Sequence, residues 1–186
     1  MYLGILIGIL GTIILSVIIS RFIGFSAQKP TDYTGGKNFD LRTHLNGDID
    51  CEGVIYGPLG RVSSRFVGRF NANWTGGAGH MTENFEYDSG STQQRQWTLK
   101  LANDGTIKAT APDVIGEGTG RQVGSAVVLN YKIKLTEDAG GHVLNVTDWM
   151  YLAPNGAIVN RSQFRKFGIK VAELVATMRP AGAANA

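Results

Sequence analysis

The feature that most constrains the fold is an alternation of apolar and polar residues with a period of two, which runs through most of the chain after Gly47. In one segment, Phe66 and Phe70 share a face while Arg65 and Arg69 share the other. Successive side chains of a strand point to opposite faces, so this pattern is typical of a half-buried strand. The same period recurs at 80–88, 93–101, 126–135, 142–152, 157–164 and 166–178.

Short turn-forming stretches, among them DSGS, EDAGG and APNG, separate these segments. Sequential strands joined by tight turns form hairpins, and roughly 8 to 10 of them predict a mostly-β fold, an antiparallel up-and-down barrel of the lipocalin kind. A β-sandwich is the alternative, but no long crossover of the kind that a Greek key needs is visible. We expect the barrel domain at 39–180 and a flexible tail at 181–186.

The N-terminal 25 residues have a different character. The stretch MYLGILIGILGTIILSVIIS contains no charged residue and is followed by Arg21. At about 1.5 Å per residue it is long enough for a hydrocarbon core of about 30 Å. No basic residue precedes it, and the best cleavage site, after Ala27, has the bulky Phe25 three positions back. A retained transmembrane helix at 1–25 is therefore predicted instead of a cleaved signal, with a linker at 26–38.

Small residues recur along this predicted helix and indicate a face on which another helix can pack. They are Gly4, Gly8, Thr12, Ser16 and Ser20, with Gly11 beside the row. The alternative is a lipid-facing anchor whose glycines have no packing role. The partner expected at this face is another transmembrane helix, in a homodimer or a larger membrane protein complex.

Charged residues on the predicted apolar faces mark a candidate ligand site. Glu83 and Arg95 lie on neighbouring hairpin strands and are expected to meet inside the barrel. Two interpretations stay open: a structural salt bridge, or an arginine that binds the carboxylate or phosphate head of a lipid. Asp148 is a similar case, with Arg161 as its expected partner. The candidate ligand-binding residues are Glu83, Phe85, Arg95, Trp97, Asp148, Met150 and Arg161.

Charge and motifs argue against several functional classes. The net charge of +3 is spread along the chain, so we do not expect nucleic acid as a partner. Cys51 is the single cysteine and the three histidines lack ligand spacing, so neither a metal nor another cofactor is expected. No GxSxG motif or lysine-bearing phosphate loop is present, which predicts a protein without catalytic residues that is not an enzyme. An enzyme of lipid metabolism is the remaining alternative, because a buried carboxylate can act as a general base.

Six short motifs, ENFEYDSG, RQW, APDVIGEGTG, GSA, TDWMYL and NRSQFRKFG, lie between about Phe39 and Arg179. Together they resemble an uncharacterised proteobacterial family, the domain of unknown function numbered 3833. Its characteristic residues, carried over to this sequence, are Glu83, Phe85, Arg95, Trp97, Asp113, Gly116, Gly120, Ala126, Tyr131, Asp148, Trp149, Met150, Asn160, Arg161, Lys166, Phe167 and Gly168.

The resemblance implies an exported domain with no attributed enzymatic activity, because many members look like lipoproteins and their genes often lie near genes for fatty-acid modification. This chain departs from the family pattern at Thr147, where a second acid is usual, and in lacking a lipobox cysteine. The resemblance implies that the domain lies in the periplasm, and together with the retained helix this predicts a single-pass protein of the bacterial inner membrane. Arg21 and Lys29, which follow the predicted helix, would by themselves favour the cytoplasm.

Two hypotheses of function follow. The first is a non-enzymatic accessory protein, anchored by a transmembrane helix that packs on a partner in a membrane complex, with the barrel on the periplasmic side. The alternative is a membrane-tethered module that binds or carries a lipid or another apolar ligand linked to fatty-acid modification. A cavity of about 300 Å³ or more, lined by Phe85, Trp97, Leu129 and Met150, would favour the binding module, and a filled interior would favour the accessory protein.

Overall fold

A computed structural model of the chain describes residues 2–182, apart from the side chains of Leu3, Ser20, Arg21 and Asp138. Within the described residues, ten antiparallel strands form a closed barrel in which each strand pairs with its sequence neighbours and the last pairs with the first. The strands are β1 (Gly47–Tyr56), β2 (Val62–Thr75), β3 (Ala78–Tyr87), β4 (Thr92–Leu101), β5 (Thr106–Thr110), β6 (Gly118–Val123), β7 (Ala126–Lys134), β8 (Val143–Leu152), β9 (Ile158–Lys166) and β10 (Ile169–Pro180). The predicted up-and-down barrel is confirmed, and its closure excludes the sandwich.

Alternating burial along the strands builds the core. In β2, Phe66 and Phe70 are buried and point inward, whereas Arg65 and Arg69 are exposed. β7 departs from this alternation, since Val127, Val128 and Leu129 are all buried. The outward face of β7 is therefore covered by another part of the chain.

The segment at 26–38, which we expected to be a linker, supplies much of that cover together with Phe25. Two short 3-10 helices, Phe25–Ala27 and Pro30–Tyr33, lie against the outer wall. The Tyr33 ring packs on Trp149 and Tyr151, with centroid distances of 5.2 and 5.3 Å. Its carbonyl accepts a hydrogen bond of 2.9 Å from the Ser125 amide. The segment is thus part of the packed domain.

One end of the barrel is closed by a short helix, α2 (Leu41–His44). Asp40 caps this helix by accepting a hydrogen bond from the Arg42 amide. Leu41 and Leu45 are almost fully buried and point into the barrel. The Trp74 indole donates a hydrogen bond of 2.8 Å to the Leu45 carbonyl and fixes α2 to β2. The interior can therefore be reached more readily from the opposite end.

The N-terminal helix α1 (Tyr2–Phe22) precedes the domain. Among the residues that the structure describes, no helix is both long enough and apolar enough to cross a membrane. The predicted transmembrane helix at 1–25 is therefore wrong, and so is the single-pass inner membrane location that depended on it. At the other terminus, the predicted tail beyond Gly182 lies outside the described residues.

Candidate functional site

The barrel encloses a cavity of about 110 Å³. This cavity is smaller than the 300 Å³ that we set as favouring a binding module. Most of its lining is aromatic, aliphatic or methionine, with a few polar groups that converge from different strands. Among the lining residues are Leu41, Leu45, Met81, Glu83, Phe85, Arg95, Trp97, Leu129, Tyr131, Asp148, Met150, Asn160, Ser162, Ala176 and Met178.

Arg95 on β4 is the charged centre of the site. Arg95 lies opposite Glu83 in the β3–β4 register, as predicted from the DSGS turn. Its ion pair, however, is with Asp113, where Arg95 Nε and Asp113 Oδ2 are 3.0 Å apart. The guanidinium carbon lies 4.3 Å from the centre of the Trp97 ring and 5.5 Å from that of Tyr131. Its Nη2 atom is buried and has no hydrogen-bond partner among the described residues. The arginine is thus held firmly but keeps a free donor.

Glu83 on β3 is 8 % exposed and faces the same cavity. Burial raises the pKa of its carboxyl to about 7, because the apolar interior disfavours the charged form. The positive charge of Arg95 offsets part of this effect, while the negative charge of Asp148 adds to it. At neutral pH both protonation states of Glu83 are therefore populated.

Asp148 on β8 is held by two hydrogen bonds from β9. Its Oδ1 accepts from the Asn160 amide and, at 2.8 Å, from the Ser162 hydroxyl. Burial raises the pKa of this carboxyl, and the two hydrogen bonds oppose that effect. The expected pairing with Arg161 is wrong, because Asp148 is in register with Ser162 and Arg161 lies on the opposite face of β9. There Arg161 binds Glu173 at 2.6 Å.

A larger cleft of about 810 Å³ opens beside Arg95 on the outer side. β5 is short, so β4 pairs with it only from Thr98 onward, and the first half of β4 has no partner strand on that side. We call this space the mouth cleft; it lies between Thr92–Gln96, Pro112–Asp113 and Ile133–Thr136. Arg95 lines both the cavity and the mouth cleft. The Arg95–Asp113 pair therefore stands where the two spaces meet.

Six of the seven predicted ligand-site residues line the cavity, and Arg161 does not. Phe85 packs edge-on against Phe66 and Phe70, at 5.4 and 5.1 Å between ring centroids. Trp97 and Met150 lie on the wall beyond Arg95 and Asp148. The cavity is thus built largely from positions on the predicted inward faces.

The predicted helix-packing face of α1 lies apart from the cavity. A side chain built at Gly4, Gly8 or Gly11 would meet no described atom within 4 Å. Thr12 donates a hydrogen bond of 2.9 Å to the Gly8 carbonyl, and Ser16 is exposed. The side chain of Ser20 lies outside the described residues. This face has no packing contact with the described part of the barrel.

Four polar residues of the site were not among the predicted site residues: Asp113, Tyr131, Asn160 and Ser162. The family resemblance had marked the first three, but neither spacing nor periodicity tied them to Arg95 or Asp148. Ser162 could have been found as the register partner of Asp148. Within residues 2–182, no group of three or more His, Cys, Asp or Glu side chains is arranged to hold a metal ion.

The barrel is similar to a solved structure of an S-type phycobiliprotein lyase, CPES, from Guillardia theta. The TM-score is 0.58 with 8 % identity, over 84 % of this chain and 99 % of that chain. At such low identity the likeness shows the fold alone. The prediction that the chain is not an enzyme is corrected to this extent: a barrel of this kind also occurs in a protein described as a lyase, so the fold does not exclude an enzyme. A search of the curated proteins by sequence finds no match.

The resemblance seen in the sequence motifs is confirmed by a match to a family model. The model, described as "Protein of unknown function (DUF3833)", covers residues 19–180 and so includes the packed N-terminal segment and all ten described strands. The chain therefore belongs to the DUF3833 family.

Proposed function

We propose that this protein is a binding module whose barrel takes up an apolar small molecule of the lipid kind through the mouth cleft. The observation that carries the proposal is the position of Arg95, a buried arginine with a free donor between an apolar cavity and a wider cleft. Ligand pockets are typically apolar and hold a few convergent polar groups. Small closed barrels such as lipocalins can hold one small ligand in the interior.

The volumes define how such a ligand would bind. The cavity of about 110 Å³ lies well below the ~300 Å³ of ordinary ligand pockets, so a ligand would place one end inside and the rest in the mouth cleft of about 810 Å³. Met81, Met150 and Met178 line the cavity, and their unbranched side chains can change rotamer at low cost. The cavity can therefore widen around an apolar chain without a change in the barrel.

The accessory-protein hypothesis is not carried forward in its original form. It depended on a transmembrane helix, which the structure does not bear out. The binding-module hypothesis depends only on the barrel.

Filling the cavity tests the proposal. Ala176 lines the cavity on β10, and Ala176→Leu places three extra carbon atoms there. We expect the full chain to bind the neutral fluorescent probe 1-aminoanthracene, and Ala176→Leu to weaken this binding about tenfold or more. Ala78→Leu, at an exposed position of β3, is the control and should bind like the wild type. Equal binding by all three proteins would show that the probe does not enter the barrel.

Acid–base catalysis on the bound molecule is a second candidate function. It is favoured by the position of Glu83, which faces the cavity with a pKa of about 7, close to the value that suits a general acid or base at neutral pH. The test is to incubate the purified full chain with the molecule extracted from it and follow the mass or isotope content of that molecule. Proton exchange or conversion by the wild type that is lost in Glu83→Gln would support catalysis, and no change with either protein would exclude it.

A further inference from the structure

The hydrogen bonding of Arg95 is incomplete in a way that specifies a ligand. Its guanidinium carries five N–H donors and is buried, yet Nη2 has no acceptor among the described residues. A buried charged donor without a partner is costly, because it has lost water and gained nothing. Two parallel N–H groups of a guanidinium match the two oxygens of a carboxylate. Nε and Nη2 form one side of this guanidinium, and Asp113 occupies only Nε, so a carboxylate that takes the place of Asp113 can accept from both.

The guanidinium is also held in place for a ligand. Its stacking on Trp97 and its closeness to Tyr131 fix the plane of the guanidinium group. Both rings belong to strands of the barrel wall, so little ordering is left for a ligand to impose on Arg95. A guanidinium group that is already fixed loses less conformational entropy on binding than a mobile side chain does.

Asp113 is the group that a ligand would displace. It lies on the segment between β5 and β6, and its side chain is 24 % exposed, against 14 % for that of Arg95. The segment is fastened through backbone atoms, since the Asp113 carbonyl accepts a hydrogen bond of 2.8 Å from the Lys134 amide. The carboxylate of Asp113 can therefore swing into the mouth cleft while the segment stays in place.

We propose, resting on the proposed function, that the ligand is an apolar monocarboxylate whose head binds Arg95 and replaces Asp113 there. The apolar tail then enters along the aromatic and methionine lining of the cavity, which widens around it, while the head stays at the mouth cleft. A phosphate monoester fits less well, because Glu83 and Asp148 face the same space and repel a second negative charge.

Calorimetric titration of the full chain with dodecanoate, dodecanol and dodecyl phosphate tests this assignment. We expect dodecanoate to bind at least about tenfold more tightly than the other two, as a charge-assisted hydrogen bond requires. Asp113→Asn removes the competing carboxylate and should tighten dodecanoate binding several-fold without changing dodecanol binding. Glu117→Gln, on the same segment, removes a surface pair with Lys108 and should change neither. Arg95→Gln should abolish the preference for dodecanoate.

The outcomes separate the two proposals. Equal binding of dodecanoate and dodecanol, with no effect of Asp113→Asn, would overturn the carboxylate assignment and leave the binding module intact. Tighter binding of dodecyl phosphate would also overturn it. If Arg95→Gln does not fold, Asp113→Asn and the three ligands still decide the matter. Failure of all three compounds while 1-aminoanthracene binds refutes the carboxylate alone; failure of the probe as well refutes the binding module.

Discussion

Replacing Glu83 with glutamine tests the electrostatic state of the cavity. Burial raises the pKa of Glu83 to about 7, from an ordinary value of 4.5. Between pH 4.5 and about pH 7, Glu83 is mostly protonated in the folded protein and mostly ionised in the unfolded chain. The stability that Glu83 contributes through its proton is therefore fully present below pH 4.5 and is lost as the pH rises through about 7.

The size of the effect follows from the two pKa values. They differ by about 2.5 pH units, and each unit corresponds to about 1.36 kcal/mol, so the wild type loses about 3 kcal/mol once Glu83 is fully ionised. At pH 5 the loss is only about 1 kcal/mol. Glutamine cannot ionise and avoids this loss. Glu83→Gln should therefore gain about 2 to 3 kcal/mol over the wild type between pH 5 and pH 8.

Urea unfolding of both proteins at the two pH values measures this difference. Glu52→Gln is the matched control on β1. Partial burial raises the pKa of Glu52, but hydrogen bonds from Arg179 and Thr177 outweigh this effect and lower it. The stability that ionised Glu52 contributes is therefore largely present at pH 5 and changes little up to pH 8. An effect of Glu83→Gln that is the same at both pH values would show that Glu83 ionises alike in the folded and unfolded states, and that burial does not raise its pKa.

Three further substitutions test the packing and the hydrogen bonds around the site. Asn160→Ala removes the hydrogen bond to Asp148 and one of 3.0 Å to the Trp149 carbonyl, and urea unfolding should show a loss of about 2 to 3 kcal/mol. Gly120→Ala should lower the melting temperature, because the added carbon would overlap the Val128 carbonyl oxygen and lie 2.5 Å from Leu129 Cδ2, whereas Gly8→Ala on α1 should not lower it. Trp74→Phe leaves the Leu45 carbonyl without its 2.8 Å donor and should cost about 1 to 2 kcal/mol in thermal unfolding; an unchanged midpoint would show that α2 is held by its leucines alone.

The barrel could be predicted because period-two alternation and short turns are local signals. The facing of Glu83 and Arg95 across β3 and β4 followed from the turn between them, and the structure has that register. Such local signals do not predict a side-chain contact whose partner lies on an element far away in the sequence. Asp113 reaches Arg95 only because β5 stops early and the next segment bends over the open edge of β4.

Three other features differ from the sequence-based predictions. The segment at 26–38 has the composition of a solvated linker, yet Tyr33 finds an aromatic surface on the outside of β8, about 115 residues away in sequence. The pairing of Asp148 with Arg161 failed because a difference of one residue along a strand reverses the face. For α1, the apolar run was assigned to a membrane from length and hydropathy, which the structure does not support.

Native mass spectrometry of the gently purified full chain shows directly whether the barrel holds a ligand. We expect a population of wild-type protein that carries one bound organic molecule, which is released on collisional activation. This bound form should be lost in Ala176→Leu and retained in Ala78→Leu. Wild-type protein that is always free of any small molecule, or a bound molecule that persists equally in Ala176→Leu, would contradict the claim that the barrel binds a ligand in its cavity.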